Sequence, residues 1–281
     1  VPELRLPPLG AVTSDLAAAV AGADAAVVVV PAQAVAALCA RLAAAGAARL
    51  PIILASKGID LATLRPLSTV VEEALPAAPV AVVSGPCIAR EVAAGVPTSV
   101  VAASTNEALA TAAQQWFASP TFRVYRQSDV LGVELGGAIK NVIAIAAGIG
   151  DGLGFGANSK SALLTRGLAE MQRFAVALGA DARTISGLSG LGDLCVTCFS
   201  PHSRNRRFGE ALGRGATVAE TIAAIGETVE GVPTAHAVVR LAARAGVDVP
   251  ISAAVVEILE GRWSPAHAVA QLMTRRLREE F

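Results

Sequence analysis

Aromatic residues are scarce in this sequence, with two Trp, one Tyr and seven Phe among 281 residues. None interleaves with a basic run to form the stacking platform that single-stranded nucleic acid requires. Charge is equally thin: 23 Lys and Arg against 23 Asp and Glu leave no net charge. No global field therefore favours nucleic acid or an anionic membrane, and any anion site has to be local. Cysteine occurs only at positions 39, 87, 195 and 198. Cys195 and Cys198 have C-x-x-C spacing, but no second pair or nearby His completes a four-ligand zinc site, so free thiols and no metal are expected.

Mean hydropathy is positive, +0.56, yet no clean apolar run reaches the length of a spanning helix. The stretch 25–40 contains Pro31 and Gln33 and ends at Arg41, and 142–149 is shorter still. No segment has the build of a signal peptide, so the expectation is a cytoplasmic protein with no membrane insertion. Also missing is a dinucleotide fingerprint. Gly152-Leu-Gly154-Phe-Gly-Ala157 fits G-x-G-x-x-A, but it follows a predicted helix, whereas the fingerprint follows a strand and opens a helix. It reads as a loop between helices.

What is present is a composition of 53% hydrophobic and 16% charged residues, which fits a packed globular protein long enough for two domains. Helical patterns alternate with short β-branched runs: helix 14–21, strand 26–30, helix 32–45, strand 52–55, helix 63–74, strand 80–84, strand 98–102, helix 106–118 and strand 122–126. This order implies an α/β, Rossmann-like and largely parallel sheet with helices on both faces and a ligand crevice at the strands' carboxyl ends. Beyond residue 128 the strand signals stop. Helices are expected at 129–148, 159–178, 182–185, 204–212, 218–224, 234–245, 251–259 and 265–277, which divides the chain into a sheet domain at 1–128 and an all-helical domain at 129–281.

Four segments are too polar or glycine-rich for their positions. Lys57 in Ala-Ser-Lys-Gly follows a strand and points into the crevice, toward an anion or a carbonyl oxygen, or else is a solvated loop lysine. Ser84-Gly85-Pro86-Cys87-Ile88-Ala89 joins a strand end to a helix start, offering free N–H groups or forming a plain turn. Lys140 and Asn141 lie in an apolar helix one turn after Gly136-Gly137. Desolvation there suits a lysine to proton transfer, while a snorkelling side chain is the bland reading. In Gly190-Leu-Gly192-Asp193-Leu-Cys-Val-Thr197, Asp193 is placed to orient a lysine. The following Ser203-Arg204-Asn205-Arg206-Arg207 sets three arginines at a helix start, a phosphate-binding patch or a solvated face.

Taken in order, Ala-Ser-Lys57-Gly, Ser-Gly85-Pro, Gly-Gly-Ala-Ile-Lys140-Asn141, Thr165-Arg-Gly-Leu-Ala-Glu170-Met, Gly-Leu-Gly-Asp193-Leu and Ser203-Arg204-Asn205-Arg-Arg resemble the bacterial NAD(P)-dependent glycerol-3-phosphate dehydrogenases. The resemblance implies a Rossmann cofactor domain joined to a helical substrate domain. It implies reversible reduction of dihydroxyacetone phosphate to sn-glycerol 3-phosphate with NAD or NADP, an oxidoreductase step at a CH–OH group that supplies glycerophospholipid synthesis. Lys140 takes the position of the proton-transfer residue, supported by Lys57, Asp193, Asn141 and Thr197. Lys57, Gly85, Cys87, Lys140, Asp193, Ser203, Arg204 and Asn205 fall at substrate-contact positions. Lys57, Ala89, Arg204, Thr228 and Glu230 fall at cofactor positions.

Two departures accompany the resemblance. Cys87 stands where the family usually has Ser or Thr. The first β-α-β portion, with the fingerprint and the ribose-reading residue, is expected to be missing. Partners are then a small phosphate ester and the nicotinamide cofactor, with oligomeric state open and a homodimer among the options. A dehydrogenase for hydroxy acids or sugar acids and a non-catalytic binding protein are the competing readings.

Overall fold

The computed structural model describes residues 12–277, 279 and 280. Five strands, β1 (Ala26–Val28), β2 (Ile52–Leu54), β3 (Val80–Ser84), β4 (Thr98–Ala103) and β5 (Phe122–Gln127), form one sheet in the order β1-β2-β3-β4-β5. Neighbours run parallel except β3 and β4, which are antiparallel. The 85–97 link between those two is the shortest in the sheet and holds only the five-residue helix α4 (Ala89–Ala93). A parallel pairing requires a crossover long enough to bring the chain back across a sheet face.

The sheet alternates its burial to two sides, as the period of a strand dictates. Ile52 and Leu54 of β2 pack with Val28, Val82 and Val101 beneath α2 (Val35–Ala44) and α3 (Leu67–Ala74). Between them, Ile53 faces the other way, joining Ala81, Val100 and Val124 beneath α5 (Glu107–Phe117). Both faces are covered, and β2 is wholly buried. A further short helix, α1 (Leu16–Val20), precedes β1.

After β5, Asp129 caps the 23-residue helix α6 (Val130–Gly152) by accepting the Gly132 N–H at 2.9 Å. Among the described residues α6 is the one helix long and apolar enough to cross a membrane, but 83% of its apolar window is buried inside the protein. It is a core helix, surrounded by α7 (Ala157–Ala177), α9 (Asp193–Phe199), α10 (Arg204–Gly213), α12 (Gly231–Ala245) and α13 (Pro250–Leu259). Shorter helices α8 (Ala182–Ile185), α11 (Val218–Ile225) and α14 (Pro265–Met273) complete this half. The apolar pattern undershoots α6 by four residues and overshoots α14 by four. Gly152 and Ala157 of the G-x-G-x-x-A stretch end α6 and begin α7, so that stretch is a helix-to-helix loop.

Helix α10 lies along α6 at backbone contact. A Cβ on Gly148 would strike the Arg206 carbonyl, one on Gly209 would strike the Ile145 carbonyl, and Gly152 and Gly213 face each other. The two G-x-x-x-G runs, 148–152 and 209–213, interlock so that each backbone fills the space a side chain would need. Buried carboxylates tie further helices to this frame. Glu170 of α7 accepts from the Ile251 and Ser252 N–H groups at 2.7 and 2.9 Å, satisfying the open donors at the start of α13. Glu134 of α6 does the same for Ser68 at the start of α3, at 2.8 Å, and so links the helical half to the sheet.

Candidate active site

Lys57 leaves the carboxyl end of β2 on a loop fastened by Ser56, whose hydroxyl donates to the Val30 carbonyl at 2.6 Å. Its ammonium reaches the end of β3, donating to the Gly85 carbonyl at 3.0 Å and lying 3.8 Å from the Cys87 sulfur. Gly85 has φ +138°, and a Cβ there would sit 3.0 Å from the Val100 Cα, so only glycine fits the turn.

From the helical half, α6 delivers Lys140 to the same place and α9 begins with Asp193. One oxygen of the Asp193 carboxylate takes the Lys57 ammonium at 2.5 Å, and the other takes Lys140 at 2.8 Å. Thr197, one turn along α9, accepts from Lys140 at 2.8 Å and donates to Asp193 at 3.2 Å. A π-helical turn, Leu188–Gly192, brings Asp193 in. It is seated against Gly136 of α6, where a Cβ would lie 3.0 Å from the Ser189 carbonyl oxygen.

Burial is the largest influence on all three charged groups, and their neighbours decide the outcome. Lys140 is pulled below the ordinary lysine value because desolvation and the Lys57 charge together outweigh Asp193. Burial also lowers Lys57, but Asp193 and Cys87 more than compensate and leave it raised. Asp193 is held below the usual carboxylate range, since its two ammonium partners exceed the cost of its desolvation. A buried carboxylate between two ammonium groups is a charged triad with a net single positive charge, an environment suited to an oxyanion or an alkoxide.

Directly after Lys140, at Asn141, a chain of buried amides joins three helices. Asn205 at the start of α10 donates to the Asn141 side-chain oxygen at 2.9 Å and accepts the Gly231 N–H of α12 at 2.9 Å. Ser203 caps α10, accepting from the Arg206 N–H at 3.2 Å. The arginine patch is smaller than its spacing suggests. Arg206 turns away to Asp151 at 2.6 Å and to Glu210 at 3.4 Å, while the exposed Arg204 pairs with Glu227 at 3.1 Å. The cause is Asp151, brought across by the α6–α10 contact.

Glu230, next to Gly231, accepts the Ala32 N–H at 3.1 Å with one oxygen, while the other is buried without a partner. Burial raises its carboxyl above the ordinary value against the pull of Ala32 and Arg204. An orphaned acceptor of this kind matches a ligand that brings donors, such as a ribose or a carboxamide. Thr228 is exposed in the same turn and Ala89 is exposed at the start of α4, and neither is hydrogen-bonded to the lysine cluster.

The sequence motifs gave Ser56 no role of its own and did not include Glu227 or Gly231. A glycine opening α12 is the one signal that was available for the last of these. Among the described residues no three His, Cys, Asp or Glu side chains gather as a metal site. The C-x-x-C thiols are both raised by burial, Cys198 to about 12.

The family model for the N-terminus of NAD-dependent glycerol-3-phosphate dehydrogenase matches residues 1–110, and that for its C-terminus matches 129–270. The glycerol-3-phosphate dehydrogenase [NAD(P)+] of Thermobifida fusca is 48% identical over 285 residues, spanning all of this chain and 84% of the relative. That of Chlorobium phaeobacteroides is 46% identical, spanning all of this chain and 85% of the relative. A crystal structure of glycerol-3-phosphate dehydrogenase from Coxiella burnetii superimposes with a TM-score of 0.90 at 41% identity, covering 93% of this chain and 80% of that one. The matches to both halves, the identity along the whole chain and the shared fold place this chain in the NAD-dependent glycerol-3-phosphate dehydrogenase family.

Proposed function

We propose that the chain reduces dihydroxyacetone phosphate to sn-glycerol 3-phosphate, and reverses the reaction, using NADH or NADPH. The observation that carries this reading is the single carboxylate of Asp193 holding Lys57 and Lys140 side by side. When bound, the nicotinamide exchanges a hydride with C2 of the three-carbon phosphate. The chain's own residues handle the oxygen, the phosphate and the exclusion of water.

In the direction of oxidation Lys140 accepts the proton of the C2 hydroxyl as C2 gives up its hydride, and in reduction it returns that proton to the carbonyl oxygen. Its pKa is lowered by burial and by the Lys57 charge, the direction that favours the neutral amine a proton acceptor needs. Lys57 stays charged and steadies the negative charge on the same oxygen. Asp193 orients both ammonium groups, Thr197 holds the Lys140 end in place, and Asn141, bonded to Asn205, ties α6 to α10 beside it. At the other end of the substrate, the N–H groups opening α10, Ser203, Arg204 and the spare N–H of Asn205 receive the phosphate. Gly85 and Cys87 border the carbon skeleton. Glu230, Thr228 and Ala89 take the cofactor, and Arg204 and Lys57 serve both ligands. On this reading residues 1–128 are the cofactor domain and 129–281 the substrate domain.

The test is oxidation of NADPH or NADH by the purified chain, supplied in turn with dihydroxyacetone phosphate, hydroxypyruvate and unphosphorylated dihydroxyacetone. Activity confined to the phosphate ester, and reduced by orders of magnitude in Lys140→Ala, is the expected result. Normal turnover in that variant overturns the role of Lys140. Preference for the carboxylate substrate overturns the substrate.

A further inference from the structure

The turn between α11 and α12 carries a carboxylate that the roles above leave unused. Glu227 sits 3.1 Å from an Nη atom of Arg204, with the two side chains 65% and 44% exposed. It therefore occupies the guanidinium that the phosphate reading gives to the substrate. Arg206 offers no substitute, since Asp151 and Glu210 hold it. The backbone on either side is fixed by the buried bond between Asn205, next to Arg204, and Gly231, four residues beyond Glu227. Arg204 and Glu227 are thus kept within reach of each other by helices that do not depend on the pair itself.

An exposed ion pair of this kind is worth at most about a fivefold factor in an equilibrium. A phosphate monoester carries between one and two negative charges and three strong acceptor oxygens, and it meets a guanidinium in a bidentate fork. On the same arginine the phosphate and the carboxylate would repel each other across a few ångströms. Occupancy of one disfavours the other, and the ligand of higher charge and better geometry prevails.

We propose that Glu227 is an internal stand-in for the substrate's phosphate group: it holds Arg204 while the site is empty, gives way when the ester enters, and so sets how tightly the phosphate end is held. The inference rests on the assignment of Arg204 to the phosphate. Calorimetric titration of the full chain with sn-glycerol 3-phosphate, and separately with inorganic phosphate, tests it in Glu227→Gln, Arg204→Gln and the double variant. Glu227→Gln is expected to tighten both ligands by the same factor, about two- to fivefold, the value of the pair it releases. The gain should shrink as ionic strength rises and vanish in the Arg204→Gln background. Unchanged or weakened affinity in Glu227→Gln, with Arg204→Gln still weakening both ligands, overturns the stand-in and leaves the phosphate assignment intact. Undiminished binding in Arg204→Gln overturns both.

Discussion

Lys57 and Lys140 come from opposite halves of the fold and end on opposite oxygens of one carboxylate, at 2.5 and 2.8 Å from Asp193. Asp193 is the shared counter-ion that offsets the desolvation of both lysines, and neither half of the fold holds the complete group. Closing the sheet against the helices is therefore also what assembles the proposed proton-transfer centre.

Replacing Asp193 by Asn removes the charge and the hydrogen bond that chiefly raise Lys140, leaving desolvation and the Lys57 charge opposed by Cys87 alone. Lys140 should titrate still lower, so the rise in kcat for glycerol phosphate oxidation with pH should begin at lower pH than in the parent. kcat itself should fall by about a hundredfold or more, as loss of a preorganised electrostatic group does. An unshifted pH profile at measurable turnover would show that Asp193 does not control Lys140.

Cys87 places a weakly polar sulfur 3.8 Å from the Lys57 ammonium. Cys87→Ser supplies a hydroxyl of nearly the same shape, and one neutral hydrogen bond contributes about 0.5–1.5 kcal/mol. The KM for dihydroxyacetone phosphate should drop about two- to tenfold with little change in kcat. Steady-state kinetics decide it, and a raised KM counts against a substrate contact at this position.

Glu134 is buried beneath α3 and its carboxyl is raised to about 7, chiefly by desolvation and further by Glu72, against the two bonds from Ser68. A folded-state value above the unfolded one means the native state binds its proton more tightly. The associated stability is present in full below pH 4.5 and is lost as pH rises through about 7. The change amounts to roughly 3 kcal/mol. Chemical denaturation of the parent and of Glu134→Gln across that window should show a slope in the first that is flattened in the second; equal slopes would place the titration elsewhere.

Gly209→Ala drives a methyl into the Ile145 carbonyl on α6. Overpacking at such a contact costs about 1–3 kcal/mol, visible as a lowered melting temperature. Because α10 carries Arg204 and Asn205 at its start, the displaced helix should also raise KM for the phosphate ester more than it lowers kcat. A melting temperature equal to that of the parent would mean the helices can separate freely.

The five strands and the long helix were legible because their signals are local: β-branched runs at sheet spacing, and an apolar stretch opened by Asp129. The segments holding Lys57, Lys140 and Asp193 could also be marked, since a charged residue in apolar surroundings stands out. Their convergence on one carboxylate could not, because it depends on contacts spanning 53 and 136 positions. The π-helical turn was equally hidden, since Gly190 and Gly192 carry no helix signal of their own and the turn depends on the fit against Gly136. The arginine patch misled for the same reason. Spacing counted three guanidinium groups, and Asp151, from 55 positions away, removed one.

The interlocked glycines of α6 and α10 fix a length as well as a contact. Lys140 stands on one helix and the Arg204–Asn205 pair on the other, and with Ile145 seated over Gly209 and Gly148 over Arg206 neither helix can slide or turn past its neighbour. On the roles proposed for these residues, the two rods form a caliper of set opening, one jaw a nitrogen that exchanges a proton and the other a seat for an anion. A molecule whose reacting oxygen and phosphate are too close or too far apart would span that gap badly, so a preference for one length of ester would be set by residues that never touch it.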